Sequence, residues 1–310
     1  MTLQSPNPPE GFSAFWEATV SEASSAPLSY SRKKQSEVVR EGFAIDTLEL
    51  RGVDGRTLHG WFAYGAAGAA PSPERHGAAG AAPSPGFVWL APYGRWSMLP
   101  NEYGTRAGFC SLCINFHGES AFHREDYTPE RGYFTDGIES PETWVFRRLF
   151  QDSLLSLRIL AELSECDAGR LAAAGMSQGG GFAIWLGAFC DLTKCVCADM
   201  PFGAAREIVF SRPIHRYPLK EVVDYMDQSE THRKNAMRTM SFFDTVNIAA
   251  LCKVPTLLTY GSKDPAVREF EVRSIENALP GEKRVDEIDG GHDWHPTMVD
   301  RNREWMLSHL

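Results

Sequence analysis

The chain has 310 residues, 43% hydrophobic and 23% charged, which suits one large α/β domain or two small ones with an ample core. Its 40 acidic residues against 31 basic ones leave a formal charge of −9, and the most basic run, Arg32-Lys33-Lys34, reads as a solvated face; nucleic acid and anionic membrane surfaces are therefore excluded as partners. Residues 1–9 lack the regions of a signal peptide and no stretch reaches the roughly 20 apolar residues of a membrane span, so the expected compartment is the cytoplasm.

Residues 9–25 predict an opening helix, because Phe12, Phe15, Trp16 and Val20 recur at helical spacing. Strands are predicted at 43–50 and 58–64, and the turn chemistry of Gly52-Val53-Asp54-Gly55-Arg56 between them makes a hairpin. The segment Gly65-Ala66-Ala67-Gly68-Ala69-Ala70-Pro71-Ser72-Pro73 then recurs word for word as 77–85, a nine-residue unit at a period of 12. It is too short for a solenoid repeat and has no large apolar side chain to bury. It reads as a flexible Gly/Ala/Pro surface loop over 65–85 joining two strands, nearly neutral for stability because loop closure costs little extra with length.

From residue 87 onward, strands are expected at 87–91, 108–115, 171–175, 194–200, 254–260 and 283–288. Between them lies a clear helix at 143–163, where Phe146, Leu149, Phe150, Leu154, Leu157 and Leu160 form one apolar stripe. Short apolar strands alternating with amphipathic helices mean a mostly parallel central sheet covered on both faces, in a single domain over 1–310. Residues 201–251 show only helical patterning, a lid-like insertion at the carboxyl edge of the sheet. The seven cysteines lie largely in apolar runs. Cys110 and Cys113 have the spacing of a metal or redox pair, but no second pair accompanies them and along a strand they point to opposite faces. They read as buried free thiols in a reducing compartment, with no metal.

Chemistry concentrates at Gly175-Met176-Ser177-Gln178-Gly179-Gly180-Gly181, directly after the run Leu171-Ala172-Ala173-Ala174. A serine between glycines at a strand-to-helix turn is a nucleophile elbow, where only glycine flanks let the helix pass close to the strand. Alone, this pattern is weak. Its partners strengthen it. His292, in Asp289-Gly290-Gly291-His292-Asp293-Trp294, lies past the last strand and before a C-terminal helix, where a general base is presented; His295 reads as a surface residue. Asp264, in Gly261-Ser262-Lys263-Asp264-Pro265, follows an apolar strand and is the orienting acid, whereas Asp286 and Asp289 read as solvated or capping groups. The order Ser177, Asp264, His292 is that of the α/β-hydrolase fold. Two backbone N–H groups are then needed for the oxyanion. Gln178, at the start of the next helix, supplies one, and Tyr93, in Ala91-Pro92-Tyr93-Gly94, is chosen for the other.

With these residues in place the chain resembles the acetyl xylan esterase / cephalosporin C deacetylase family of α/β-hydrolases. The likeness also runs through Pro9 to Trp16, Arg131 to Ile138, Phe146-Arg147-Arg148 with Asp152, Asp199-Met200-Pro201-Phe202 and Arg238 to Asp244. The triad intervals of 87 and 28 residues are close to the family's. The chain departs from the family at His117-Gly118-Glu119, where Arg-Gly-Gln is usual, and at Pro265-Ala266 after the acid. The resemblance implies a serine carboxylesterase that removes acetyl groups from xylo-oligosaccharides, sugar acetates and cephalosporin-type acetates through an acyl-enzyme. It implies a small acyl pocket lined at Tyr93 and Pro218, no cofactor, and a homo-oligomer, hexameric in the family. The alternatives are a dienelactone-hydrolase-like enzyme, a small-substrate peptidase, or an inactive α/β-hydrolase-fold binding module.

Overall fold

The alternating strands and helices build one sheet of nine strands among the described residues of this computed structural model, which are 3–37, 39–66, 82–94, 99–118, 120–122 and 132–310. The strands are β1 (Tyr30–Lys34), β2 (Phe43–Arg51), β3 (Thr57–Gly65), β4 (Ser84–Leu90), β5 (Cys110–Asn115), β6 (Cys166–Met176), β7 (Thr193–Asp199), β8 (Thr256–Gly261) and β9 (Lys283–Ile288). Across the sheet they run β1-β2-β3-β5-β4-β6-β7-β8-β9. The first three and β5 pair antiparallel in succession, and every pairing from β5 to β9 is parallel. β4 thus has β5 on one side and β6 on the other. Strand order reverses there, the topology at which open α/β sheets place ligands beyond the carboxyl ends of their strands.

Successive side chains divide between two layers because a strand has a period of two. Val88 and Leu90 face the layer that includes α1 (Phe12–Ser25), α2 (Val145–Glu162) and α3 (Gln178–Phe189), whereas Phe87 and Trp89 face the layer of α9 (Pro296–His309). The six apolar residues expected to form a stripe on α2 are all buried. Cys110 and Cys113 fall in opposite layers, and none of the seven cysteines forms a disulfide among the described residues, six of them being buried. α1 begins at Phe12 rather than residue 9, since Gly11 turns the chain into it with φ 81°. Trp16 anchors it, stacking on Phe189 at 4.6 Å and donating its indole N–H to the Phe242 carbonyl at 2.9 Å.

The insertion between β7 and β8 is helical, as expected: α4 (Arg206–Phe210), α5 (Leu219–Met226), α6 (Glu230–Phe242) and α7 (Thr245–Ala249). α8 (Glu269–Ala278) connects β8 to β9. No helix among the described residues is long and apolar enough to cross a membrane.

Two expectations are corrected. Lys33 and Lys34 are exposed as expected, but the run Arg32-Lys33-Lys34 belongs to edge strand β1 and Arg32 is half-buried. Arg32 pairs with Asp46 and with Glu165 at 2.6 Å while lying 4.9 Å over the Phe62 ring, so its charge is matched at the edge of the sheet rather than left to solvent. The duplicated segment also does not form one loop over 65–85. Gly65 completes β3, and Ser84 and Pro85 are buried in β4, where sheet pairing overrides the loop-like composition. Residues 67–81, the greater part of the repeat, lie outside the described residues, as do Glu119 and Arg131.

Candidate active site

β6 ends at Met176 and α3 begins at Gln178, so Ser177 alone turns the chain, with φ 55° and ψ −116°. A positive φ strains any residue with a Cβ, and it persists only where the surroundings hold it. Here the Ser177 N–H donates to the Asp199 carbonyl at 2.8 Å, and the Ser177 carbonyl accepts from Phe202 N–H at 2.8 Å and Gly181 N–H at 3.1 Å. The glycines explain how the helix fits. A Cβ at Gly179 would lie 1.9 Å from the Leu90 carbonyl oxygen, and one at Gly175 would lie 2.5 Å from Gly179. Strand and helix touch backbone to backbone, as the glycine flanks led us to expect.

The three residues singled out for the triad meet at the carboxyl edge of the sheet. Ser177 Oγ lies 2.9 Å from His292 Nε2, and His292 Nδ1 lies 2.6 Å from Asp264 Oδ2. The other carboxylate oxygen, Asp264 Oδ1, accepts the N–H groups of Ala266 at 2.7 Å and Val267 at 2.9 Å, so the acid cannot rotate freely. The Asp264 side chain is fully buried, while 23% of the His292 side chain remains accessible. Acid and histidine loops approach closely because Gly261 lacks a side chain: a Cβ there would meet the Gly290 and Gly291 carbonyls at 2.7 and 2.6 Å. Such a chain holds the imidazole in the tautomer that leaves Nε2 free to take the serine proton.

The rejected acids occupy other places. Asp289 is exposed and pairs with Lys263 at 2.7 Å. Asp286 is neither solvated nor a cap, but pairs with Arg284 at 2.9 Å and Arg301 at 3.5 Å. His295, read as a surface residue, is half-buried and caps α9: its ring nitrogen accepts from the Thr297 N–H at 3.3 Å.

Two buried carboxyl groups support the site, and the sequence reading had assigned them no role. Asp199, whose carbonyl holds the Ser177 N–H, accepts from Thr259 Oγ1 at 2.9 Å and Asn302 Nδ2 at 2.8 Å. Burial pushes its pKa up to about 6, against the pull of those two donors. It ties β7, β8 and α9 beneath the elbow. Glu271 closes the loop of Asp264 by accepting the Arg268 N–H at 2.9 Å. Burial raises its pKa to about 7 against the Arg268 N–H and the Arg206 guanidinium, and the Asp264 carboxylate adds to the rise.

Glu271 gives a signed prediction. A carboxyl group whose pKa is raised by folding contributes stability below its unfolded value, near 4.5, and loses that contribution as pH climbs through about 7. Gln at this position keeps an acceptor for Arg268 and has no such titration. The stability of Glu271→Gln relative to wild type is therefore expected to rise between pH 5 and pH 8, by on the order of 1–3 kcal/mol. Thermal unfolding at the two pH values checks this, and a difference that stays constant or falls refutes it.

Gln178 opens α3, so its N–H has no acceptor within the helix and faces the start of the helix dipole. Tyr93 lies in the turn after β4, its ring 4.7 Å from that of Tyr133, and its hydroxyl lies where a Cβ at Gly132 would be, only 1.9 Å away. Pro218 caps α5, one turn before Glu221. The link from Pro218 to the triad runs through that helix: the buried Glu221 carboxylate accepts the Gly132 N–H at 2.8 Å and the Thr135 N–H at 3.1 Å. Tyr133, between these two, donates its hydroxyl to Gln178 Oε1 at 3.0 Å. His117 lies with its ring 4.0 Å from Tyr133. Among the described residues no group of three or more His, Cys, Asp or Glu is placed to hold a metal ion.

Comparison with known proteins places this geometry in a family. The family model for Acetyl xylan esterase (AXE1) matches residues 3–308. The chain belongs to the acetyl xylan esterase family. Acetyl esterase Axe7A of Xylanibacter ruminicola is 23% identical over 271 residues, 83% of this chain but 57% of that relative, so the chain spans little more than half the relative's length. An acetyl xylan esterase from Paenibacillus sp. R4 superposes with a TM-score of 0.85 at 22% identity, covering 99% of this chain and 97% of that one. Acetyl xylan esterase 1 from Thermoanaerobacterium sp. JW/SL YS485 gives 0.80 at 20% identity, covering 99% and 96%. These likenesses are of fold, and the fold is that of the α/β-hydrolases.

Proposed function

We propose that this chain is a serine acetylesterase acting on small acetylated substrates, with acetylated xylo-oligosaccharides and related sugar acetates foremost and cephalosporin-type acetates within reach. The continuous hydrogen-bonded path from Asp264 through His292 to Ser177, 2.6 and 2.9 Å long in its two steps, carries the reading. Ser177 Oγ attacks the acetyl carbonyl carbon as its proton passes to His292 Nε2, and Asp264 stabilises the imidazolium. The Gln178 and Tyr93 N–H groups receive the oxyanion, each worth roughly 3–4 kcal/mol at the transition state. Collapse breaks the ester C–O bond, His292 protonates the departing alcohol, and water then releases acetate by the same steps in reverse. Tyr93 and Pro218 line the pocket, and no cofactor takes part. Seven cysteines without a disulfide among them are in keeping with a reducing compartment, the cytoplasm. A homo-oligomer, hexameric in line with the family resemblance, belongs to the same reading.

A series of p-nitrophenyl esters tests the acyl side, with acetate release from acetylated xylo-oligosaccharides as the second readout. The expected result is fastest hydrolysis of acetate and a fall in kcat/KM of at least about tenfold from the two-carbon to the six-carbon acyl group. A flat or rising series, with cleavage of a dienelactone or a short peptide, would move the chain to one of the other α/β-hydrolase activities.

A further inference from the structure

Tyr133 is buried, yet its hydroxyl joins two segments that are far apart in the sequence. It donates to Gln178 Oε1 at 3.0 Å and accepts the Gly94 N–H at 3.2 Å. Gln178 is the first residue of α3, and Gly94 follows Tyr93 directly. One phenol oxygen therefore connects the peptide next to Tyr93 with the residue next to Ser177. The ring is held as firmly as the hydroxyl, packing against Tyr93 at 4.7 Å and His117 at 4.0 Å, both tilted by about 30°. Its backbone is held too. Glu221 of α5 accepts the Gly132 N–H on one side, and the N–H and hydroxyl of Thr135 on the other.

We propose that Tyr133 is a positioning residue of the oxyanion site, its hydroxyl setting the separation of the two N–H groups that receive the developing charge. This rests on the reading of Gln178 and Tyr93 as those donors. An oxyanion site works because its dipoles are fixed before reaction, and a displacement of one donor costs rate rather than substrate affinity. The hydroxyl does not touch the substrate. It acts by fixing the Gln178 side chain and the Gly94 peptide. His117, where the family usually has arginine, supports the Tyr133 ring with a flat aromatic surface.

Tyr133→Phe isolates the hydroxyl, because the ring and its packing on Tyr93 and His117 are kept. On p-nitrophenyl acetate kcat is expected to fall between about tenfold and a hundredfold, with KM within about twofold of wild type. The affinity of methylboronic acid, which forms a tetrahedral adduct on Ser177, should weaken by the same factor as kcat. Gln178→Met breaks the bridge from its other end while leaving the backbone N–H in place, and provides the test should Tyr133→Phe fold poorly. It should reproduce the loss, and the double variant should be no slower than the slower single one. Unchanged kcat, a rise in KM alone, an unchanged boronate affinity, or fully additive losses would each overturn the proposal. Hydrolysis by wild type that does not depend on Ser177 would instead overturn the esterase reading on which it stands.

Discussion

Ser177→Ala is expected to lower kcat on a short-chain aryl acetate by at least about a thousandfold and to leave the fold intact. The size of the effect follows from the route. Without Oγ no acyl-enzyme forms, and the remaining catalysis is that of an ordered water near His292 and the oxyanion donors. The fold survives because the elbow is held by main-chain groups: its N–H bonds to Asp199, its carbonyl to Phe202 and Gly181. Among the described residues the hydroxyl itself serves only His292. A fluorophosphonate probe gives an independent readout, labelling wild type and not the variant. Residual activity above about a thousandth, or labelling of Ser177→Ala, would show that the nucleophile lies elsewhere.

Asp264→Asn is the second large effect, with an expected loss in kcat of about ten-thousandfold. Asp264 Oδ1 is occupied by the N–H groups of Ala266 and Val267, and an asparagine carbonyl can retain both. Its amide nitrogen must then face His292 Nδ1, where the carboxylate oxygen stood at 2.6 Å. The histidine is driven to the tautomer with a proton on Nε2, which can no longer accept one from Ser177. The fold is kept and the chemistry is lost. Asp289→Asn is the control, since that carboxylate is exposed and paired with Lys263, and activity should stay within about twofold. A severe loss at Asp289 with little at Asp264 would mean that the wrong carboxylate had been identified.

The three residues of the proposed triad were legible because each sits just beyond a strand, apolar in β6 and β8 and largely polar in β9, in a short segment marked by glycine. Ser177 follows β6, Asp264 follows β8 and His292 follows β9, so three local patterns and one topology bring them to a single edge. Edge strand β1 was not legible. Tyr30-Ser31-Arg32-Lys33-Lys34 is polar along its length, and what makes it a strand is pairing with β2 and the ion pairs of Arg32 with Asp46 and Glu165. The second copy of the repeated segment was misread at its end for the same reason, since only the neighbouring strands reveal that Ser84 and Pro85 are buried. Tyr133, Glu221 and Asn302 carried no signal of their role. Each acts across a long stretch of sequence, 45 residues from Tyr133 to Gln178 and 103 from Asn302 to Asp199, and no periodicity or motif spans such distances.

The grip of Glu221 on the Gly132–Thr135 segment bears on how the enzyme meets its substrate. A carboxylate buried to 2% exposure and satisfied by three donors is a fastening that is costly to undo in every catalytic cycle. α5 thus behaves at this point as a wall, and the face that carries Pro218 is rigidly coupled to the side proposed to receive the oxyanion. Selection of alcohols by such a site is selection by a fixed mould. A bulkier ester would be admitted by carving side chains from the wall, and loosening the insertion would blunt catalysis before it widened the entrance.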